Sequence, residues 1–322
     1  MSSITLLLPV KNGSRFLKSS LTNMIDIAGE NDSILIVDDF SEDDSMSIIN
    51  HFQLIDSRIQ VLKNRKPGLV NALNLGVKES HNNWIARCDV DDFYPKDRLE
   101  VQKTFVDEGV SGIFTDYEFF ADTEKSLGVI PSAIYREAVS ISLSKSQRTA
   151  HPSIMYSKEA VLSAGGYRKE DFPAEDLSLW LRMSKEGELI SVPKVLLKYR
   201  LTPMSVSWQK RELIQQKTKN LLLTIGINSK DFINTVNNIE SIFLNYDKTN
   251  LSSRRKILLL REILDIQRNP SRYGIGGNQN SKVLRNIRFL LKNEFLTEGL
   301  ILKRERDRRE KFRHMGKNEK YI

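Results

Sequence analysis

The stretch at residues 84–102, WIARCDVDDFYPKDRLEVQ, decides how the chain is read. Its first residues, Trp84-Ile85-Ala86, read as the end of a buried strand. Three carboxylates then arrive within four residues: Asp89, Asp91 and Asp92. Carboxylates crowded at a strand end repel one another unless positive charge sits among them. A divalent metal suits such a cluster, and Mn²⁺ or Mg²⁺ would keep coordination positions open for phosphate oxygens. The competing reading is a solvated acidic turn that caps a helix beginning near Pro95.

Working back toward the N-terminus, the same strand pattern recurs. Residues 3–10 (SITLLLPV), 33–37 (SILIV) and 59–62 (IQVL) are apolar runs of strand length. Between them lie amphipathic segments: Phe16, Leu17, Leu21, Met24 and Ile25 form one stripe, and Leu69, Ala72, Leu73 and Val77 another. Ser41, with Asp44 three residues on, is the expected cap of the intervening helix. Repeated strand–helix alternation predicts βαβ units and a mostly parallel sheet with right-handed crossovers. Ligands of such sheets bind beyond the carboxyl ends of the strands. Those ends carry Pro9 to Asn12, Asp38-Asp39, Asn64 and Asp89 to Asp92. Neither G-x-G-x-x-G after strand one nor G-x-x-x-x-G-K-[ST] is present, so phosphates would be held through a metal or scattered basic groups.

Working forward, residues 112–115 and 126–130 read as strands and 135–143 as a helix. A short strand is expected at 153–156, then a helix from Lys158 that stops at Gly165-Gly166. Leu177, Trp180 and Leu181 share a helical face, which puts Glu175 and Asp176 at that helix's N-terminal end. A carboxylate there is expected to stay ionised and able to accept a proton; the simpler reading is a helix cap.

The chain of 322 residues has an ordinary globular composition, with 40% apolar and 28% charged residues. One cysteine, Cys88, excludes an internal disulfide and suits a reducing cytoplasm. No run approaches the length of a membrane-spanning helix, and the N-terminus reads as a strand rather than a signal peptide. The net charge of +8 is uneven. Residues 205–322 carry 25 Lys+Arg against 12 Asp+Glu, whereas residues 1–204 carry 24 against 29. A basic tail of this kind suits nucleic acid, an anionic membrane surface or an acidic partner.

Six stretches, taken in order, carry a family resemblance. They are LLLPVKNGSRFLKSSL from Leu6, ILIVDDFSEDDS from Ile34, GLVNALNLGV from Gly68, the 84–102 stretch, HPSIMYSKEAVLSAGGY from His151, and AEDLSLWLRM from Ala174 followed by KVLLKYR from Lys194. Together they resemble a family-two glycosyltransferase with the GT-A fold, over roughly two thirds of the chain. The resemblance implies a catalytic domain at 1–207 and a basic helical region at 208–322.

It also implies roles. Asp39 is similar to the carboxylate that contacts the nucleobase, and Pro9 and Val10 to the backbone beside it; Asn64 joins this nucleotide-sugar set. Asp89 and Asp91 match residues facing the ribose or donor sugar, Asp91 or Asp92 the metal ligand, Arg200 a Tyr-Arg element near the phosphates, and Asp176 the general base. His151 and Glu175 fall on the acceptor side; a packed histidine is the alternative for His151. Thr202 stands where many relatives carry a His. The expected reaction is inverting transfer from a nucleotide-sugar donor, by default a UDP-sugar, to a glycan or lipid-linked acceptor in bacterial surface polysaccharide assembly.

Two other readings compete: a sugar nucleotidylyltransferase, whose loop after strand one is glycine-rich where Lys11-Asn12-Gly13-Ser14-Arg15 is not, and a basic nucleic-acid-binding module. The tail has no Cys/His finger and no aromatic RNA-binding signature, so no nucleic acid is expected. Residues 281–292 place Val283, Leu284, Ile287 and Leu291 on one helical side amid basic residues, a pattern that fits either packing on the catalytic domain or attachment to the inner face of the cytoplasmic membrane.

Overall fold

Strand β1, Ile4–Val10, is buried along its whole length, as a run with no polar face must be when helices cover both sides of a sheet. A computed structural model describes residues 3–121, 126–130, 132, 149–202 and 205–225. The chain divides into two units, Met1–Gly226 and Ile227–Ile322, and the described residues all lie in the first. The expected helix at 135–143 and the elements expected beyond residue 225 lie outside the described residues.

The first half is a regular α/β alternation. Helix α1 (Ser14–Ile27), β2 (Ser33–Asp38), α2 (Ser45–Ile55), β3 (Ile59–Lys63), α3 (Leu69–Glu79) and β4 (Trp84–Arg87) follow β1 in turn. Strands β2, β1 and β4 lie side by side in parallel, with β3 outside β2. Successive side chains of β1 go to opposite faces. Leu6 and Leu8 join Leu17, Leu21 and Met24 of α1 and Ile49 and Phe52 of α2. Leu7 joins Val70, Leu73 and Val77 of α3 on the other face. Gly76 permits that second contact: a Cβ there would meet Leu7 Cδ1 at 2.2 Å.

The second half departs from plain alternation. After α4 (Arg98–Lys103), the long β5 (Val110–Phe120) pairs antiparallel with β6 (Ser126–Ile130) and with β7 (Met155–Ser157), and parallel with β8 (Glu188–Arg200). Antiparallel β7 joins β4 to β5, so one sheet ordered β3-β2-β1-β4-β7-β5 runs through the unit, with β8 on β5. Helix α5 (Lys158–Ser163) and helix α6 (Glu175–Glu186) pack on the α3 side, where Leu177, Leu179 and Trp180 are fully buried. Helices α7 (Val206–Gln209) and α8 (Arg211–Ile225) complete the described chain.

Three local expectations change. The strand expected at 153–156 is present but shifted, as β7 over Met155–Ser157, because a 3₁₀ turn takes up His151–Ser153. The helix after Pro95 starts only at Arg98, whose side chain is wholly buried. Ser41 caps no helix. Helix α2 starts at Ser45, and Ser41 Oγ instead accepts the Asn12 N–H at 3.0 Å.

Candidate functional site

The carboxyl ends of β1, β2 and β4 lie together, and the loops they feed are tied down by named bonds. Asp39 N–H donates to Val10 O at 2.7 Å. The buried Asp39 carboxylate accepts Asn64 Nδ2 at 2.7 Å and the Gly68 N–H at 2.9 Å. Gly68 makes this turn at φ 119, a conformation that side chains oppose. Pro9 and Val10 are buried beside Val37 and Asp38 of β2. Asp39, Asn64, Pro9 and Val10 therefore share one corner.

After β4 the chain turns through the acidic cluster. Asp89, Asp91 and Asp92 place their ligand atoms within 4.8 Å of one another. Several groups fix this turn. Tyr94 Oη accepts the Asp89 N–H at 2.7 Å, and Asn23 of α1 bonds both the N–H and the C=O of Tyr94. Arg98 stacks on Tyr94 and donates to Arg87 O and Ile154 O. Arg200, at the end of β8, donates its backbone N–H to Asp92 Oδ1 and its Nε–H to Asp91 O, both at 2.8 Å. Its guanidinium lies over the rings of Phe16 at 4.8 Å and Phe120 at 4.4 Å. Such stacking suits a planar cation.

Charge is concentrated here. Burial, then the Asp89 charge, pushes Asp91 up to about 6. Burial, then Asp91 and Asp89, holds Asp92 well above the carboxylate range. Arg87 is buried on β4 and forms an ion pair with Asp89. Burial opposes its charge, but the Asp89 carboxylate reverses that and keeps the guanidinium protonated.

The second half of the fold supplies the Glu175-Asp176 pair, near enough for the Asp89 and Arg87 charges to act on Glu175. Both members of the pair are buried at the first turn of α6, and Asp176 Oδ1 accepts the Leu177 N–H at 2.7 Å. The expectation that the helix N-terminus keeps its carboxylates ionised fails for Glu175. Burial and then the Asp176 charge push it up to about 8, with Asp89 adding to the push and Arg87 opposing it. Desolvation outweighs the helix end here.

His151 sits in an aromatic group. Its Nε2 is 2.9 Å from Tyr167 Oη, and its ring meets Trp180 edge-on. Burial, then the Arg87 charge, lowers its pKa well below the usual value, so the ring is neutral. Thr202 follows Arg200 past the end of β8.

The site residues that the sequence reading left without a role are Arg87, Phe16, Phe120 and Tyr94. Arg87 had a signal, a charge inside an apolar strand; the two phenylalanines under Arg200 had none, since they lie 104 residues apart.

The residues fit a divalent cation. The donor set is all carboxylate oxygen, as Mg²⁺ and Mn²⁺ prefer. Asp92 Oδ2 is buried with no hydrogen-bond partner, and the mutual repulsion that raises Asp91 and Asp92 is what an ion would relieve.

The family model described as "Glycosyl transferase family 2" matches residues 5–159. The chain carries a family 2 glycosyltransferase domain. An uncharacterized glycosyltransferase of Rickettsia bellii is 27% identical over 62% of this chain, and the chain spans only 29% of that relative's length. A putative teichuronic acid biosynthesis glycosyltransferase, TuaG of Bacillus subtilis, is 25% identical over 64% of this chain and 82% of its own. Among solved structures, S. aureus TarS 1–349 in complex with UDP-GlcNAc superposes with a TM-score of 0.59 at 14% identity, covering 89% of this chain and 88% of that one. The mannosyltransferase PcManGT of Pyrobaculum calidifontis, in complex with GDP-Man and Mn²⁺, gives 0.50 at 13% identity over 92% and 88%. At these identities the likeness is one of fold, and the fold of the glycosyltransferase domain is GT-A.

Proposed function

We propose that this protein is an inverting glycosyltransferase that moves a sugar from a UDP-sugar to an acceptor hydroxyl. The observation that carries the proposal is the Asp89-Asp91-Asp92 cluster, whose ligand atoms lie within 4.8 Å of one another, with Glu175 near enough to feel the Asp89 charge. The UDP-GlcNAc bound by TarS supports a uridine donor, and the Mn²⁺ in PcManGT supports a metal.

Asp91 and Asp92 would hold the divalent cation, which when bound supplies positive charge against the diphosphate. Arg200 adds a second positive charge at the same end. Asp39 and Asn64, with Pro9 and Val10, form the nucleoside corner, and Asp89, held by Arg87, faces the sugar. Asp176 accepts the proton of the acceptor hydroxyl as its oxygen bonds to the anomeric carbon. The bond from that carbon to the diphosphate oxygen breaks with attack from the opposite face, which inverts the centre. Glu175, raised to about 8 by burial and the neighbouring Asp176 charge, carries a proton near neutral pH.

The acceptor is a glycan or lipid-linked sugar of surface polysaccharide assembly, a reading that TuaG supports. The 25 basic residues among 205–322 suit an anionic membrane surface at the inner face of the cytoplasmic membrane. Deleting residues 281–322 is expected to abolish flotation with anionic vesicles; unchanged flotation would remove the membrane from the proposal.

Calorimetry with UDP, GDP and dTDP, each with and without Mn²⁺, tests the donor site. UDP should bind with Mn²⁺ and not after Asp91→Asn with Asp92→Asn. Equal binding by that double variant would end the assignment of the cluster.

A further inference from the structure

The residue after Asp39 is unusual in two ways. Phe40 is 49% exposed, and it sits at φ 59, a left-handed conformation that bulky side chains rarely adopt. A large apolar ring gains little from facing water, and its backbone costs free energy where it stands. Something must hold it there.

The loops after β1 and β2 do so by bonding to each other. Asn12 N–H donates to Ser41 Oγ at 3.0 Å, and Glu42 N–H donates to Asn12 Oδ1 at 2.8 Å. Gly13 N–H donates to Ser45 Oγ at 2.9 Å, and Ser14 N–H to Asp43 Oδ2 at 3.0 Å. Asn12 is itself left-handed, at φ 52. Asp39 N–H is fixed to Val10 O, and the Asp39 carboxylate to Gly68 and Asn64. Phe40 is thus mounted on a braced turn at the carboxyl ends of β1 and β2, where ligands of an open α/β sheet bind. An exposed aromatic face on a rigid support costs a flat ligand little ordering entropy.

We propose that Phe40 is the platform on which the donor's nucleobase stacks. This rests on the reading of the site as a nucleoside diphosphate-sugar site and adds a residue to it. Stacking uses the face of the base and is tolerant of its identity. Discrimination among bases therefore falls to the hydrogen-bonding groups of Asp39 and Asn64, while Phe40 supplies affinity.

The test is calorimetric titration of the full chain with UDP, GDP and pyrophosphate in Mn²⁺, on wild type, Phe40→Ala, Phe40→Gly and Phe40→Tyr. Loss of the ring should weaken UDP and GDP alike by about ten-fold and leave pyrophosphate, which has no base, unchanged. Phe40→Tyr keeps an aromatic face and should bind UDP like wild type. Phe40→Gly removes the ring and relieves the left-handed backbone, so it should lose the same affinity while melting within a few degrees of wild type. UDP binding by Phe40→Ala equal to wild type would overturn the stacking role and leave the site reading standing. An equal loss for pyrophosphate would overturn it too, since the effect would then come from a disturbed loop. If the wild-type chain binds none of the three, the site reading falls and the stacking role with it.

Discussion

The backbone N–H of Arg200 donates to Asp92 Oδ1 at 2.8 Å, joining the last residue of β8 to the acidic turn 108 residues earlier. With the Nε–H of the same arginine on Asp91 O, both ends of Arg200 are committed to the cluster. The guanidinium also lies over the rings of Phe16 and Phe120, 4.8 and 4.4 Å from their centroids.

Arg200→Lys keeps the charge and loses both the planar stack and the Nε–H bond. Lysine is not equivalent at a stacked, directional position. UDP affinity in Mn²⁺ is expected to fall by about ten-fold, with a small change in melting temperature. Calorimetry beside thermal unfolding checks this, and an unchanged Kd would remove Arg200 from the phosphate end.

Asp176→Asn is expected to lower kcat by about 10² or more while UDP binding stays within about two-fold. Coupled release of UDP from UDP-GlcNAc with a competent acceptor provides the rate. Near wild-type turnover would end its assignment as the base.

Glu175→Gln should change how stability depends on pH. The Glu175 carboxyl is raised from 4.5 to about 8 in the folded protein. A raised pKa means that the folded state keeps a proton which the unfolded chain has already lost. Its contribution is therefore complete below about pH 4.5 and is lost as pH rises through about 8. Wild type should lose about 1.4 kcal/mol per pH unit relative to Glu175→Gln across that window. Urea unfolding at pH 5, 6.5 and 8 measures the difference. Parallel curves for the two proteins would contradict a protonated Glu175.

Gly76→Ala should destabilise by about 1–3 kcal/mol, because its Cβ has no room against Leu7. Leu7→Val in the same chain should recover part of the loss. Strictly additive effects in a double-mutant cycle would mean that the two positions do not meet.

The first four strands were legible because their chemistry is local. A short apolar run such as residues 4–10, bounded by a polar turn, fits a strand covered on both faces, and the spacing of Leu17, Leu21 and Met24 fits a helix. The Asp89-Asp91-Asp92 cluster was legible for the same reason, since its three members lie within four residues. Ser41 was misread because a cap and a loop brace look alike in sequence. The choice depends on whether the Asn12 N–H, 29 residues away, needs an acceptor.

By itself, then, the sequence determined an α/β chain with its carboxylates at strand ends, through periodicity and short-range charge. Only the tertiary structure decided the protonation of Glu175, the ion pair of Arg87 with Asp89 and the placing of Arg200 over the Phe16 and Phe120 rings. The physical reason is that desolvation and Coulomb interactions depend on distance in space. Glu175 starts helix α6 and Asp89 follows β4, 86 residues earlier, yet the Asp89 charge acts on Glu175, and nothing in the local sequence of either residue encodes that proximity.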